Sequence, residues 1–247
     1  MKRILPICAI LACVAPLSLH ASLVYDGLVT FQGTGLGHVP TILTVQNNGT
    51  ESGCVAFIGG VDVIGPTACE GGIAGGNEKT GSSQTQTQLV SAALSASDFT
   101  GPISSYGDLA VVLNGDQPNG GNIDLSNLVL TLTGPNGTYS TNGITGCPNA
   151  TCTVPTLPGI GNSGYAFQIS ADQAAAALKA LGGFTTSARV GLSATLGGGR
   201  GGPETFFLAA VPALASAGGG QVPEPTTLLL LLSGSALLLF GLRRKTA

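Results

Sequence analysis

Apolar and polar side chains alternate with period two in several stretches of this chain, and that pattern constrains the fold most. Leu128, Leu130 and Leu132 alternate with Val129, Thr131 and Thr133, and Val190, Leu192, Ala194 and Leu196 alternate with Arg189, Gly191, Ser193 and Thr195. Successive side chains of a strand point to opposite faces, so each run predicts a strand with one buried face. Residues 23–31, 40–46, 54–58, 109–114, 165–169 and 205–211 read as further strands. Turn signals such as Asn47-Asn48-Gly49, Asn119-Gly120-Gly121 and Gly134-Pro135-Asn136-Gly137 separate them. One helix interrupts the series. Ser170 is a natural N-cap with Gln173 three residues on, residues 174–181 are strong helix formers, and Gly182-Gly183 stands where a C-terminal glycine belongs. Short, mostly antiparallel strands with a single short helix predict a mainly β fold, a β-sandwich or jelly-roll-like ectodomain. The 39 glycines and 14 prolines suit such a turn-rich chain, and 43% hydrophobic residues are too many for a disordered one.

The two ends have a different character. Met1-Lys2-Arg3 is a basic start, residues 4–19 are an apolar run, and Ala21-Ser22 supplies small residues, the order of a secretory signal peptide spanning residues 1–21 and exported by the Sec machinery. A lipoprotein reading competes, since Ile10-Leu11-Ala12-Cys13 loosely fits a lipobox, but it leaves a very short apolar run before the cut. At the other end Val222, Pro223, Glu224 and Pro225 precede the apolar residues 226–242, and Arg243, Arg244 and Lys245 follow. As a helix that apolar run reaches about 25 Å, a minimal span for a bilayer core. The basic stop stays in the cytoplasm by the positive-inside rule, which puts residues 22–222 on the far side of the inner membrane.

A Pro-Glu-Pro motif, a minimal apolar helix and a basic stop, in that order at the C-terminus and paired with a signal peptide, resemble the PEP-CTERM sorting signal. The resemblance covers residues 222–245. It implies an exported bacterial envelope protein, processed near Pro223-Glu224-Pro225 by a membrane-embedded exosortase, in an envelope linked to exopolysaccharide and biofilm. A Gram-positive sortase signal shares the layout but needs Leu-Pro-x-Thr-Gly, which is absent; a plain tail anchor is the other alternative. The stretches 122–132, 170–176, 189–194 and 201–207 also resemble an uncharacterised group of PEP-CTERM ectodomains, which implies a shared fold and says nothing about activity.

The expected organisation is then a signal peptide (1–21), a β-sandwich ectodomain (22–209), an Ala/Gly/Ser/Pro-rich tether (210–221) and a sorting signal (222–245) containing the membrane helix 226–242. Residues 22–222 hold four basic residues (Lys79, Lys179, Arg189, Arg200) against eleven acidic ones, a net charge of −7. Such a surface has no clustered cations to displace phosphate counterions, which excludes nucleic acid as a partner.

Four cysteines remain beyond the signal peptide: Cys54, Cys69, Cys147 and Cys152. In an oxidising compartment an even set reads as disulfides, and proximity favours Cys54 with Cys69 and Cys147 with Cys152. Zinc is the rival, but no Cys-x-x-Cys spacing or nearby histidine supports it. His38 is the one histidine of this segment, and no Gly-x-Ser-x-Gly elbow accompanies it, so a nucleophilic triad has no base. The Gly-x-Gly-x-x-Gly strings at Gly159/Gly161/Gly164 and Gly197/Gly199/Gly202 run into strand-like residues where a dinucleotide site needs a helix, and read as turn glycines. The Asx-rich stretch with Asn114, Asp116, Asn119, Asn122 and Asp124 offers the oxygen ligands that Ca²⁺ selects, without the spacing of an EF-hand. Paired carboxylates for glycoside hydrolysis stay open, because separations between the acids cannot be read along the chain. The expected function is a non-enzymatic cell-surface or matrix protein without a required cofactor. The alternative is a secreted hydrolase acting on envelope polysaccharide.

Overall fold

The structure, a computed structural model, describes residues 22–29, 41–80, 92–94, 102–115, 121–149, 151–156 and 164–211. Its strands are β1 (Leu23–Val29), β2 (Thr41–Val45), β3 (Asn48–Ile58), β4 (Val61–Ile64), β5 (Ala92–Ala93), β6 (Leu109–Gly115), β7 (Asn122–Gly134), β8 (Gly137–Ser140), β9 (Ile144–Thr145), β10 (Thr153–Pro155), β11 (Gly164–Gln168), β12 (Arg189–Arg200) and β13 (Glu204–Ala210), with one α-helix among the described residues, α1 (Ala171–Leu181), before β12, and short 3-10 turns at Pro66–Ala68 and Tyr106–Asp108. The fold is mainly β, as the alternation requires.

The strands form two sheets. One has the order β2-β13-β6-β11-β1-β9; the other runs β10-β7-β12-β3-β4, with β5 beside β12 and β8 beside β7. Both sheets feed a single apolar interior. Val55 on β3, Leu128, Leu130 and Leu132 on β7, and Val190, Leu192, Ala194 and Leu196 on β12 meet Leu109, Val111 and Leu113 on β6, Phe167 on β11, and Phe206 and Leu208 on β13. Each large apolar side chain sealed there contributes about 1.5–3 kcal/mol of transfer free energy.

The other faces are partly covered too. Val112, Ala166 and Ala209 form a second buried cluster, and Cys54, Ala56, Ala68, Ile73 and Val129 a third on the outer face of β3 and β7. Strand β3 therefore alternates between two buried environments: Glu51, Gly53 and Val55 point to the main interior, while Ser52, Cys54 and Ala56 point to the satellite cluster.

Helix α1 begins and ends where its residues dictate. Ser170 Oγ accepts from the Gln173 N–H at 3.3 Å and Gln173 Oε1 accepts from the Ser170 N–H at 2.7 Å, a reciprocal capping box. Gly182, at φ 72°, takes the left-handed conformation that closes the last turn. Ala177 and Leu181 face the core, and Gln173 donates to the Ser22 carbonyl, which ties the helix to the start of β1.

Two expectations shift. Asn48 and Gly49 lie inside β3, and the chain passes there from one sheet to the other instead of folding back as a hairpin. Gly197 and Gly199 lie within β12, where the register slips between Leu196 and Gly199, so they serve a β-bulge and not a turn. Gly134-Pro135-Asn136-Gly137 does close a hairpin, with Gly134 paired to Gly137.

Candidate functional site

Several predicted site residues lie outside the described residues: Val222, Pro223, Glu224, Pro225, Arg243, Arg244 and Lys245 of the sorting signal, the signal peptide, the tether from residue 212 onward, His38, Asp116 and Asn119. Among the described residues no helix is long and apolar enough to cross a membrane.

The cysteines pair as their proximity suggests. Cys54 bonds Cys69 across a Cα–Cα distance of 5.1 Å, and Cys147 bonds Cys152 across 4.9 Å. Glu78 comes close to the first bridge and completes a Cys54–Cys69–Glu78 group. Both sulfurs there are spent on each other, and the carboxylate accepts the Cys54 N–H at 2.8 Å and the Gly76 N–H at 2.9 Å. Its role is to fasten the loop that covers the outer face of β3.

The Asx-rich stretch is divided by the fold. Asn114 is buried on β6, while Asn122 and Asp124 belong to β7 in the other sheet. Asp124 Oδ1 accepts from the Thr153 hydroxyl at 2.5 Å, pinning β10 to β7.

What the fold does bring together is a pair of carboxyl groups distant in sequence. Glu51 is on β3 and Glu204 on β13, one from each sheet, and both are fully buried. They occupy the inward phase of their strands, Glu204 in line with Phe206 and Leu208. Burial pushes the Glu51 carboxyl above its ordinary value; its contacts with the Glu204 carboxyl and the Asn47 backbone pull in the other direction and are outweighed. The signal in the sequence was an acid at the inward position of an alternating run, Glu51-x-Gly53-x-Val55 and Glu204-x-Phe206-x-Leu208.

An open cleft of about 550 Å³ lies on the surface beside the second disulfide. Asn127, Asn142, Thr145 and Asn149 line it together with Cys147 and Cys152, and none of its lining residues is charged. Cys152 has φ 47°, a left-handed conformation that L side chains rarely adopt, and Gly143 and Gly146 flank the cleft at φ 76° each. Asn127 Nδ2 donates to the Gly71 carbonyl and Asn149 Oδ1 accepts from the Thr153 N–H.

In comparison with known proteins, residues 221–245 match the family model of the PEP-CTERM protein-sorting motif. No curated protein and no solved structure matches the chain.

Proposed function

Taking the chain as a PEP-CTERM protein, exported across a membrane and sorted to the cell surface through an exosortase, we propose that its β domain is a displayed, non-enzymatic β-sandwich of the bacterial surface or matrix, linked to exopolysaccharide. The signal peptide over residues 1–21 directs Sec export, and the helix over 226–242 holds the precursor in the inner membrane until it is processed near Pro223-Glu224-Pro225. The observation that carries this reading is the sorting motif behind a β domain with two disulfides, the chemistry of an oxidising compartment.

Two features of the fold support a binding role over a hydrolytic one. The Glu51–Glu204 pair is sealed from solvent, where a sugar ring cannot reach it, whereas a glycosidase flanks its substrate with both acids. The cleft beside Cys147–Cys152 is uncharged and rich in side-chain amides, which suits hydrogen bonding to neutral hydroxyl-rich chains.

The test is to incubate the mature protein, purified from its producer, with that strain's polysaccharide. Co-sedimentation without release of reducing sugar is expected. Turnover that a single Asp or Glu substitution abolishes would overturn the reading in favour of a secreted polysaccharide hydrolase.

A further inference from the structure

The cleft beside the second disulfide carries an inference that rests on the reading of a displayed, polysaccharide-linked domain and sharpens it to a ligand class. Its walls come from three elements: β7, the segment that enters and leaves β9, and the loop closed by Cys147 and Cys152. Backbone irregularities from all three converge there. The register of β7 with β12 slips at Ser126, Gly143 and Gly146 are left-handed, and Cys152 is the one non-glycine residue at positive φ among the described residues. Bulges and strained backbone concentrate where side chains are aimed at a ligand. The β9 wall is also fastened to β1. Ser22 Oγ donates to the Asn142 carbonyl at 2.8 Å, the Leu23 N–H donates to the Gly143 carbonyl at 2.9 Å, and Ile144 and Thr145 pair with Leu23 and Val24.

Two side-chain amides in these walls are each held at one end. Asn127 Nδ2 donates to the Gly71 carbonyl at 3.3 Å, which leaves Oδ1 on the side of Gly143, 3.5 Å from where a Cβ on that glycine would stand. Asn149 Oδ1 accepts from the Thr153 N–H at 2.8 Å, which leaves the Nδ2 donor. One wall thus offers a positioned acceptor and another a positioned donor. A hydroxyl rotates to suit either group, whereas a secondary amide carries one N–H and one C=O in fixed directions and matches the pair. Half-buried Ile144 and Cys147 supply apolar surface, and the exposed side chains of Asn142 and Thr145 can meet hydroxyls. None of the lining residues is charged, so a uronate or phosphate would lose hydration without gaining a counter-charge.

We propose that this cleft binds an N-acetylated amino-sugar residue of a neutral polysaccharide, its acetamido N–H donating to Asn127 Oδ1 and its acetamido carbonyl accepting from Asn149 Nδ2. The acetyl methyl lies against Ile144 and the disulfide, and Asn142 and Thr145 meet the ring hydroxyls. The volume of about 550 Å³ falls within the roughly 300–1,000 Å³ of small-ligand sites, room for a short stretch of glycan. Asn149 lies between the bridged cysteines, so its donor is in place before the sugar arrives and binding carries a smaller ordering cost. A peptide repeats its amide at every residue, whereas the cleft offers one such donor and acceptor beside groups suited to hydroxyls.

The experiment titrates the full chain in detergent micelles with a β-1,4-linked tetramer of N-acetylglucosamine and with the matching glucose tetramer, in which a hydroxyl replaces each acetamido group. The wild type should bind the first at least about tenfold more tightly, because the second leaves the positioned donor and acceptor poorly matched. Asn149→Asp keeps the oxygen that accepts from Thr153 and turns the free donor into an acceptor. It should weaken the N-acetylated tetramer by about tenfold or more and change the glucose tetramer little, since a hydroxyl can turn and donate. Equal wild-type affinity for the two tetramers overturns the proposal, and that comparison needs no variant to fold. So does an unchanged affinity in Asn149→Asp, or tighter binding of an acetylated, amidated tetra-alanine, which would make the cleft a peptide site. Co-sedimentation with the producer's polysaccharide by a protein that ignores the N-acetylated tetramer overturns this inference alone; the tetramer bound as expected by a protein that ignores that polysaccharide upholds the cleft and counts against the polysaccharide link.

Discussion

The two disulfides should differ sharply in what they contribute, and the structure gives the size of the difference. Cys54–Cys69 closes a separation of 15 residues and Cys147–Cys152 one of 5, which the chain-entropy description converts to about 3 and about 2 kcal/mol. The folded state widens the gap. Cys54 is fully buried among Ala56, Ala68, Ile73 and Val129, and trimming it to Ala removes packed volume at a further cost of about 1 kcal/mol. Cys152 is buried in the main interior and loses similar packing on trimming, but its left-handed backbone at φ 47° is an expense of about 1 kcal/mol in the native state that offsets this loss. Removing the first bridge (C54A/C69A) should therefore cost about 4 kcal/mol and removing the second (C147A/C152A) about 2 kcal/mol. Urea denaturation of the two double variants beside the wild type, with tyrosine fluorescence as the probe, measures both. Peptide mapping without reduction should find the native protein fully bridged. Equal costs, or a larger one for C147A/C152A, would refute the reasoning.

Three further outcomes are expected. Gly199→Ala should lower stability by several kcal/mol, because its methyl collides with Glu51 Oε1 and the Asn47 carbonyl; unchanged thermal unfolding would count against the described bulge. Ser170→Ala should cost about 1 kcal/mol in the same titration through loss of the α1 cap, and Ser170→Asp should restore most of it. Replacing Pro223-Glu224-Pro225 with Ala-Ala-Ala should leave an uncleaved precursor in the inner membrane of an exosortase-positive host while the β domain keeps its disulfides; normal release would leave only a plain anchor.

Local rules made much of the fold legible. The cap residues of α1 and the Gly134–Gly137 hairpin depend on neighbours a few positions away, and the structure places them where the residues ask. Strand β7 shows where such reading ends. Ile123 and Leu125 share an inward phase, yet Leu128, Leu130 and Leu132 take the other parity and face the same core. The slip is absorbed at Ser126, where the register with β12 jumps from Leu125 to Asn127, and that accommodation depends on a partner strand some 70 residues away. Gly197 and Gly199 misled for the same reason, since turn and bulge use the same residue. The acid pair was hidden more deeply. Glu51 and Glu204 each look like ordinary surface charges until residues of both sheets close on one interior, because a contact between sheets leaves no spacing rule along the chain.

The position of β13 has a mechanical consequence. It is the last strand among the described residues, yet it lies inside its sheet, paired to β6 from Glu204 to Ala210 and to β2 from Glu204 to Phe207. Tension applied from the C-terminal side, as when a surface protein is held by its tail against flow, pulls along the axis of β13. Hydrogen bonds on both flanks are then loaded in parallel and must fail together in shear, where a strand at the rim could be peeled one bond at a time. A domain wired in this way can serve as a grip for whatever holds its tail.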